Sequence, residues 1–174
     1  MSVSPTGTYR RDMYFSNYAR RAARISSMKL RLAWIGKSRS PAINSLTSEY
    51  LQRLARYLHT ESQEFSSEAA LLASLERSSG RTRPLSVLLD QRGRQFTTEE
   101  FAELVRDQQD RGTQWLIFAV GPADGFSQEA RRSADLVLSL GKMTLAHELV
   151  RVVLLEQLYR AFTILKGHPY HTGH

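Results

Sequence analysis

Gln114-Trp115-Leu116-Ile117-Phe118-Ala119-Val120-Gly121-Pro122-Ala123-Asp124-Gly125 is the stretch on which the fold turns. An apolar run too short for a typical helix, stopped by glycine and proline, spells a strong strand ending in a turn. Downstream, the pattern predicts a short helix near 127–134, a strand over Asp135–Ser139, a loop Leu140–Leu145 and a long helix from about Ala146 to Leu165. Upstream, Thr98 precedes two glutamates and an apolar-periodic run, as an N-cap does, and heads a helix to about Arg111. Before it, Leu85–Asp90 reads as a buried strand followed by the turn Gln91-Arg92-Gly93. A helix from about Ser67 to Arg77, ending near Gly80, comes earlier, and polar residues 60–66 make at best a short edge strand. Leu46, Tyr50, Leu51, Leu54 and Leu58 mark one face of a helix from about Ile43 to His59. Met28 to Gly36 alternates apolar and polar residues as a half-buried strand does.

Strands alternating with helices predict an α/β architecture with a mainly parallel sheet flanked by helices. Ligands of such sheets bind outside the carboxyl ends of the strands. Leu89-Asp90, Gly121–Gly125 and Leu140–Leu145 are the three segments placed there. Each would also serve as an ordinary turn or buried loop.

The 174 residues fill about one domain, and 41% hydrophobic with 24% charged residues is normal for a globular chain. No apolar run approaches the roughly 20 residues of a membrane-spanning helix. The lack of cysteine excludes disulfides and thiolate zinc sites and fits a reducing compartment. The net charge of +7 invites a nucleic-acid reading, but residues 1–27 hold +4 of it, through Arg10, Arg11, Arg20, Arg21 and Arg24 against Asp12. Those residues lack apolar periodicity and read as a disordered arm, an organelle leader or a start assigned too early; the domain proper is 28–174.

Two motifs fail on spacing. Gly36-Lys37-Ser38 resembles the tail of a phosphate-binding loop, but Arg31 stands where its first glycine belongs. His147-Glu148 begins like a zinc-protease helix, but Arg151 replaces the second histidine. His168, His171 and His174 lack acidic partners, so no metal is expected.

Leu145-Ala146-His147-Glu148-Leu149-Val150-Arg151-Val152-Val153-Leu154-Leu155-Glu156-Gln157-Leu158-Tyr159-Arg160-Ala161-Phe162, followed by His168-Pro169-Tyr170-His171, is similar to the signature end of the ribosomal large-subunit methyltransferase H group in the SPOUT superfamily. Matches in the same order cover about residues 28 to 172: Met28–Lys37, Glu49-Tyr50 with Arg53, Leu89-Asp90 with Gly93 and Phe101-Ala102, the loop 121–125, and Ser139 with Lys142-Met143-Thr144. The resemblance implies a SPOUT-type α/β fold whose C-terminal chain forms a trefoil knot. It further implies a cytoplasmic homodimer with S-adenosylmethionine against Leu89, Gly121, Leu140, Gly141, Lys142, Met143, Thr144 and Leu145. The implied reaction is methyl transfer to N3 of a pseudouridine in helix 69 of 23S rRNA, carried by the large subunit or the assembled ribosome. Pro122 replaces the second glycine of the family's loop, and Ala146 its usual proline. The segment between Tyr50 and Leu85 is shorter than usual, and residues 1–27 are additional. The competing reading is an RNA-binding relative that has lost or redirected methyl transfer.

The long helix is apolar on most of its circumference, so its polar residues are informative. Glu156 and Arg160 sit one turn apart, as a stabilising pair would. N3 of a uracil-type ring must lose its imide proton before attack, which calls for a base or a nearby cation. His147, Arg151, Tyr170 and His171 are the catalytic candidates: Arg151 to stabilise the anion, His147 or His171 to accept the proton, and Tyr170 to stack on the base.

Overall fold

A computed structural model describes residues 28–77 and 84–168. In chain order its elements are β1 (Lys29–Ile35), α1 (Pro41–Leu54), β2 (His59–Phe65), α2 (Glu68–Arg77), β3 (Leu85–Gln95), α3 (Thr98–Asp110), β4 (Trp115–Val120), α4 (Gln128–Ser133), β5 (Leu136–Ser139) and α5 (His147–Leu165). The readings placed on residues 1–27 and Gly80 fall outside the described residues.

The five strands form one parallel sheet in the order β2-β1-β4-β3-β5. Strand alternation decides which layer each side chain enters. Leu30 and Leu32 of β1, Val87 and Leu89 of β3, and Leu116, Phe118 and Val120 of β4 join one core with Leu54, Phe101, Val105, Leu154, Leu155, Leu158 and Phe162. That core lies under α1, α3 and α5. The alternate residues Ala33, Ile35, Leu88 and Ala119 face Leu71, Phe126 and Ala130, so α2 and α4 cover the opposite side. The central position of β4 explains its unbroken apolar run, because both its faces are covered.

At the edge, β2 is the polar strand the sequence allowed, most of its residues half-buried or exposed. Charged side chains on an edge strand discourage pairing with another chain.

Two local expectations shift. The cap of α3 is Thr97, which forms a reciprocal capping box with Glu100; the neighbouring Thr98 hydroxyl instead donates to Gln157 Oε1 at 3.1 Å and ties α3 to α5. The expected turn at 91–93 lies inside β3, where the register slips: Leu89 and Arg94 both pair with Leu138 of β5. This excursion lets one strand meet β5 twice.

The apolar girth of α5 is mostly absorbed within the chain. Arg151, Val152, Leu154, Leu155, Leu158, Ala161, Phe162 and Thr163 are buried, with α1 and α3 alongside and the sheet beneath. Glu156 and Arg160 form the expected pair, Arg160 Nε and Nη2 donating to Glu156 Oε1 at 3.1 and 2.7 Å.

Candidate functional site

The carboxyl ends of β3, β4 and β5 open into a cleft of about 200 Å³. Each strand contributes its last residues and the loop that follows: Leu89 and Asp90, Val120 to Gly125, and Leu138 to Gly141. Met143, Thr144 and Leu145 continue the wall, and His147 and Val150 close it from the first turns of α5. Of the segments expected at the cofactor, Leu89, Gly121, Leu140, Gly141, Met143, Thr144 and Leu145 all line this cleft; Lys142 is exposed and does not.

Local chemistry shapes the walls. Gly125 closes the tight turn after β4, its N–H donating to Pro122 O at 2.9 Å with φ at +82°. A side chain there would be strained, and its Cβ would lie 3.3 Å from Asp90 Oδ2. Pro122 therefore occupies a position whose carbonyl, not its N–H, is used. Ser139 Oγ accepts from Gly141 N–H and donates to Gly141 O at 3.3 and 2.9 Å, fixing the start of the last loop. Asp90, with a side chain only 4% exposed, accepts from Arg92 N–H at 2.9 Å and meets Arg131 Nη1 at 3.3 Å. That carboxylate thus braces the wall.

The four catalytic candidates separate. His147 lines the cleft. Arg151, one turn on, does not: its side chain is 1% exposed, with Nη2 donating to Ser38 Oγ at 3.0 Å and its guanidinium 4.6 Å from the Trp34 ring centroid. Arg151 Nε and Nη1 are buried without a hydrogen-bond partner, as is Trp34 Nε1. Burial lowers the pKa of Arg151 from its ordinary value, against the opposing pull of Glu148 and Glu64. The first turns of α5 are thus shared between two neighbours. His147 and Val150 face the cleft, whereas Glu148 and Arg151 hold residues 38 and 39 after β1. Sequence reasoning missed Trp34 and Ser38, because the contact spans more than a hundred residues of chain.

Tyr170 and His171 lie outside the described residues. The described end of the chain is anchored far from the cleft: Tyr57 Oη and His168 Nδ1 are 2.9 Å apart, and His168 N–H donates to Thr163 O at 2.9 Å. Among the described residues no group of histidines and carboxylates could hold a metal ion.

Residues 28–171 match the family model described as "Predicted SPOUT methyltransferase". A ribosomal RNA large subunit methyltransferase H from Koribacter versatilis is 58% identical over 147 residues, covering 84% of this chain and 100% of that protein. Proteins of the same name from Trichlorobacter lovleyi and Geotalea daltonii are 44% and 41% identical, each alignment covering 83% of this chain and 99% of the relative. Among solved structures, the SpoU methyltransferase AviRb from Streptomyces viridochromogenes, in complex with AdoMet, aligns with TM-score 0.49 and 16% identity. The alignment covers 79% of this chain and 60% of that one.

Proposed function

Because the chain belongs to the SPOUT methyltransferases, and among them to the ribosomal RNA large subunit methyltransferase H family, we propose that it methylates N3 of a pseudouridine in helix 69 of 23S rRNA, using S-adenosylmethionine. The observation that carries this reading is the cleft itself, which gathers segments from three strand ends and the head of α5. Its chemistry suits an adenosyl group. Leu89, Leu140, Leu145 and Val150 offer apolar surface to a purine, and the turns at 121–125 and 139–141 present backbone donors and acceptors for its polar edges.

S-adenosylmethionine supplies an electrophilic methyl group on a sulfonium. This chain's own part is to hold the uracil-type ring in line with that methyl, keep water away, and remove the N3 proton. His147, at the cleft wall, is the residue of the described chain proposed to accept it. The partner is rRNA in the large subunit or ribosome, and the compartment is the cytoplasm. No helix among the described residues is long and apolar enough to cross a membrane. The binding-only alternative rests on Pro122 and Ala146. Neither favours it, since the turn after β4 closes with Pro122 in place and Ala146 O still accepts from Leu149 and Val150 N–H.

Mass spectrometry of 23S rRNA from cells with and without the gene tests the reading. The expected result is one methyl group on one pseudouridine, present only with the gene. Cofactor binding by calorimetry without any methyl transfer to rRNA would leave the binding-only alternative.

The proposed roles of Tyr170 and His171 call for a second copy of the chain. The 19 residues of α5 span roughly 28 Å at 1.5 Å per residue, leading away from the cleft. Three residues beyond His168 reach only about 10 Å at full extension. A two-fold dimer removes the difficulty by bringing the tail of one copy to the cleft of the other. Leu46 and Leu149, both about 40% exposed, give the packed pair α1 and α5 apolar surface for such pairing. Light scattering should give twice the chain mass. Chains carrying His147→Ala and chains ending at His168 should each be inactive, yet regain part of the methyl transfer when co-expressed. Within a mixed dimer one site then combines an intact cleft with an intact tail. Failure to complement would put both elements of each site in a single chain.

A further inference from the structure

Residues 36–40 join β1 to α1 and begin with Gly36-Lys37-Ser38, whose spacing fails the phosphate-loop pattern, yet hydrogen bonds hold the loop along its length. Gly36 N–H donates to Phe65 O at 2.9 Å. Ser38 Oγ bonds Asn44 Oδ1 and accepts from Arg151 Nη2. Arg39 N–H donates to Glu148 Oε1 at 2.7 Å, and Ser40 caps α1 by accepting from Ile43 N–H. The Arg39 N–H and, after it, the nearby Arg151 hold the Glu148 carboxyl below its usual pKa. Glu148 therefore stays ionised at neutral pH, and its grip would be lost only as pH falls through that depressed value.

Every second residue is turned inward. Gly36, Ser38 and Ser40 are half-buried, while Lys37 and Arg39 are exposed. No carboxylate among the described residues is paired with either cation. Two residues apart along an extended chain places them roughly 7 Å from each other, far enough to meet neighbouring phosphates rather than compete for one. Their location is also specific. β1 and β4 are adjacent, and the helices that follow them leave to opposite faces of the sheet, the arrangement that opens a crevice at the carboxyl ends. The loop stands at that crevice, and the first turns of α5 touch it on one side and the cleft on the other.

We infer that the loop 36–40 is an RNA-backbone docking element of the site: Lys37 and Arg39 bind phosphates, and Glu148 and Arg151 are positioning residues that fix it to the helix lining the cleft. The inference rests on the rRNA reading above and deepens it. Fixing the loop through main-chain and hydroxyl groups leaves both cationic side chains available, and a rigid cation pair loses less freedom when it binds.

The test measures affinity of the full chain for purified large ribosomal subunits across a series of salt concentrations, beside calorimetric titration with S-adenosylmethionine. Lys37→Ala with Arg39→Ala should raise Kd by about 10- to 50-fold near physiological salt and make the slope of log K against log salt shallower by about 1.5–2. Cofactor affinity and melting temperature should not move. Lys37→Arg with Arg39→Lys keeps both charges and should restore affinity and slope. Glu148→Ala should weaken subunit binding in the same direction, while Glu148→Gln, which keeps an acceptor for Arg39 N–H, should recover most of it. An unchanged slope in the double alanine variant overturns the inference, as does an equal loss from Arg111→Ala, an exposed cation just before β4 at the far end of the sheet. Absence of methyl transfer by the unaltered protein, with the salt slope still lowered in the variant, would remove the methylation reading and leave the docking element standing. Unaltered protein that binds no subunits overturns both.

Discussion

Arg151→Ala should lower the unfolding free energy by about 2–4 kcal/mol, the range for removing a large, fully buried side chain. Among the described residues, Arg151 is the largest side chain below 2% exposure. Its loss takes away the guanidinium packed on Trp34 and the donor to Ser38 Oγ. A compensating gain limits the damage, because two of its nitrogens are buried without acceptors and its charge is held in a poorly solvated place. Arg151→Met separates these effects. It keeps most of the volume and removes the charge, so its stability should stay within about 1 kcal/mol of the unaltered protein. Urea unfolding of the two variants decides the matter. Equal losses would make the charge the dominant contribution, and no loss in either would show that the surrounding residues collapse to fill the space.

Gly93→Ala should cost about 3 kcal/mol, or roughly 6–12 °C in melting temperature for a chain of this size. A Cβ at Gly93 would sit 2.6 Å from the carbonyl carbon of Leu138 and from the carbonyl carbon and oxygen of Val137. These are backbone atoms of β5, so no flexible side chain can yield. Either β5 moves or the second pairing, Arg94 with Leu138 and Gln95 with Ser139, is lost. Because Leu138, Ser139 and Leu140 also form a wall of the cleft, cofactor affinity should fall along with stability. Gly112→Ala is the control: its φ of +75° strains an alanine, but nothing lies within 4 Å of the added carbon. It should cost only about 1 kcal/mol, as a lone left-handed residue does. Thermal unfolding that finds Gly93→Ala no worse than Gly112→Ala would mean that β5 shifts freely, and the close approach would not restrain it.

The sequence by itself determined the order and type of the elements. Periodicity is a local property, and apolar residues spaced by two or by three and four leave few choices between strand and helix. It also marked the three strand ends that line the cleft, since ligand position follows from strand direction once the sheet is parallel. Boundaries set by hydrogen bonds were less legible: either Thr97 or Thr98 can cap α3 by composition, and only the reciprocal bonds with Glu100 select Thr97.

Three features required the tertiary structure. The strand order depends on where α2 and α4 carry the chain across the sheet, and no local pattern encodes that. The double pairing of β3 with β5 depends on a backbone approach at Gly93 that reads in the sequence as an ordinary turn. Arg151 is the sharpest case. Helical spacing put it one turn from His147, suggesting a shared task. Four residues on a helix of 3.6 per turn leave a residual rotation of roughly 40°, which here divides two neighbours: His147 borders the cleft, and Arg151 lies beneath the β1–α1 loop against Trp34. Sequence supplies the spacing along α5, but the packing of β1 beside it determines what each side chain meets.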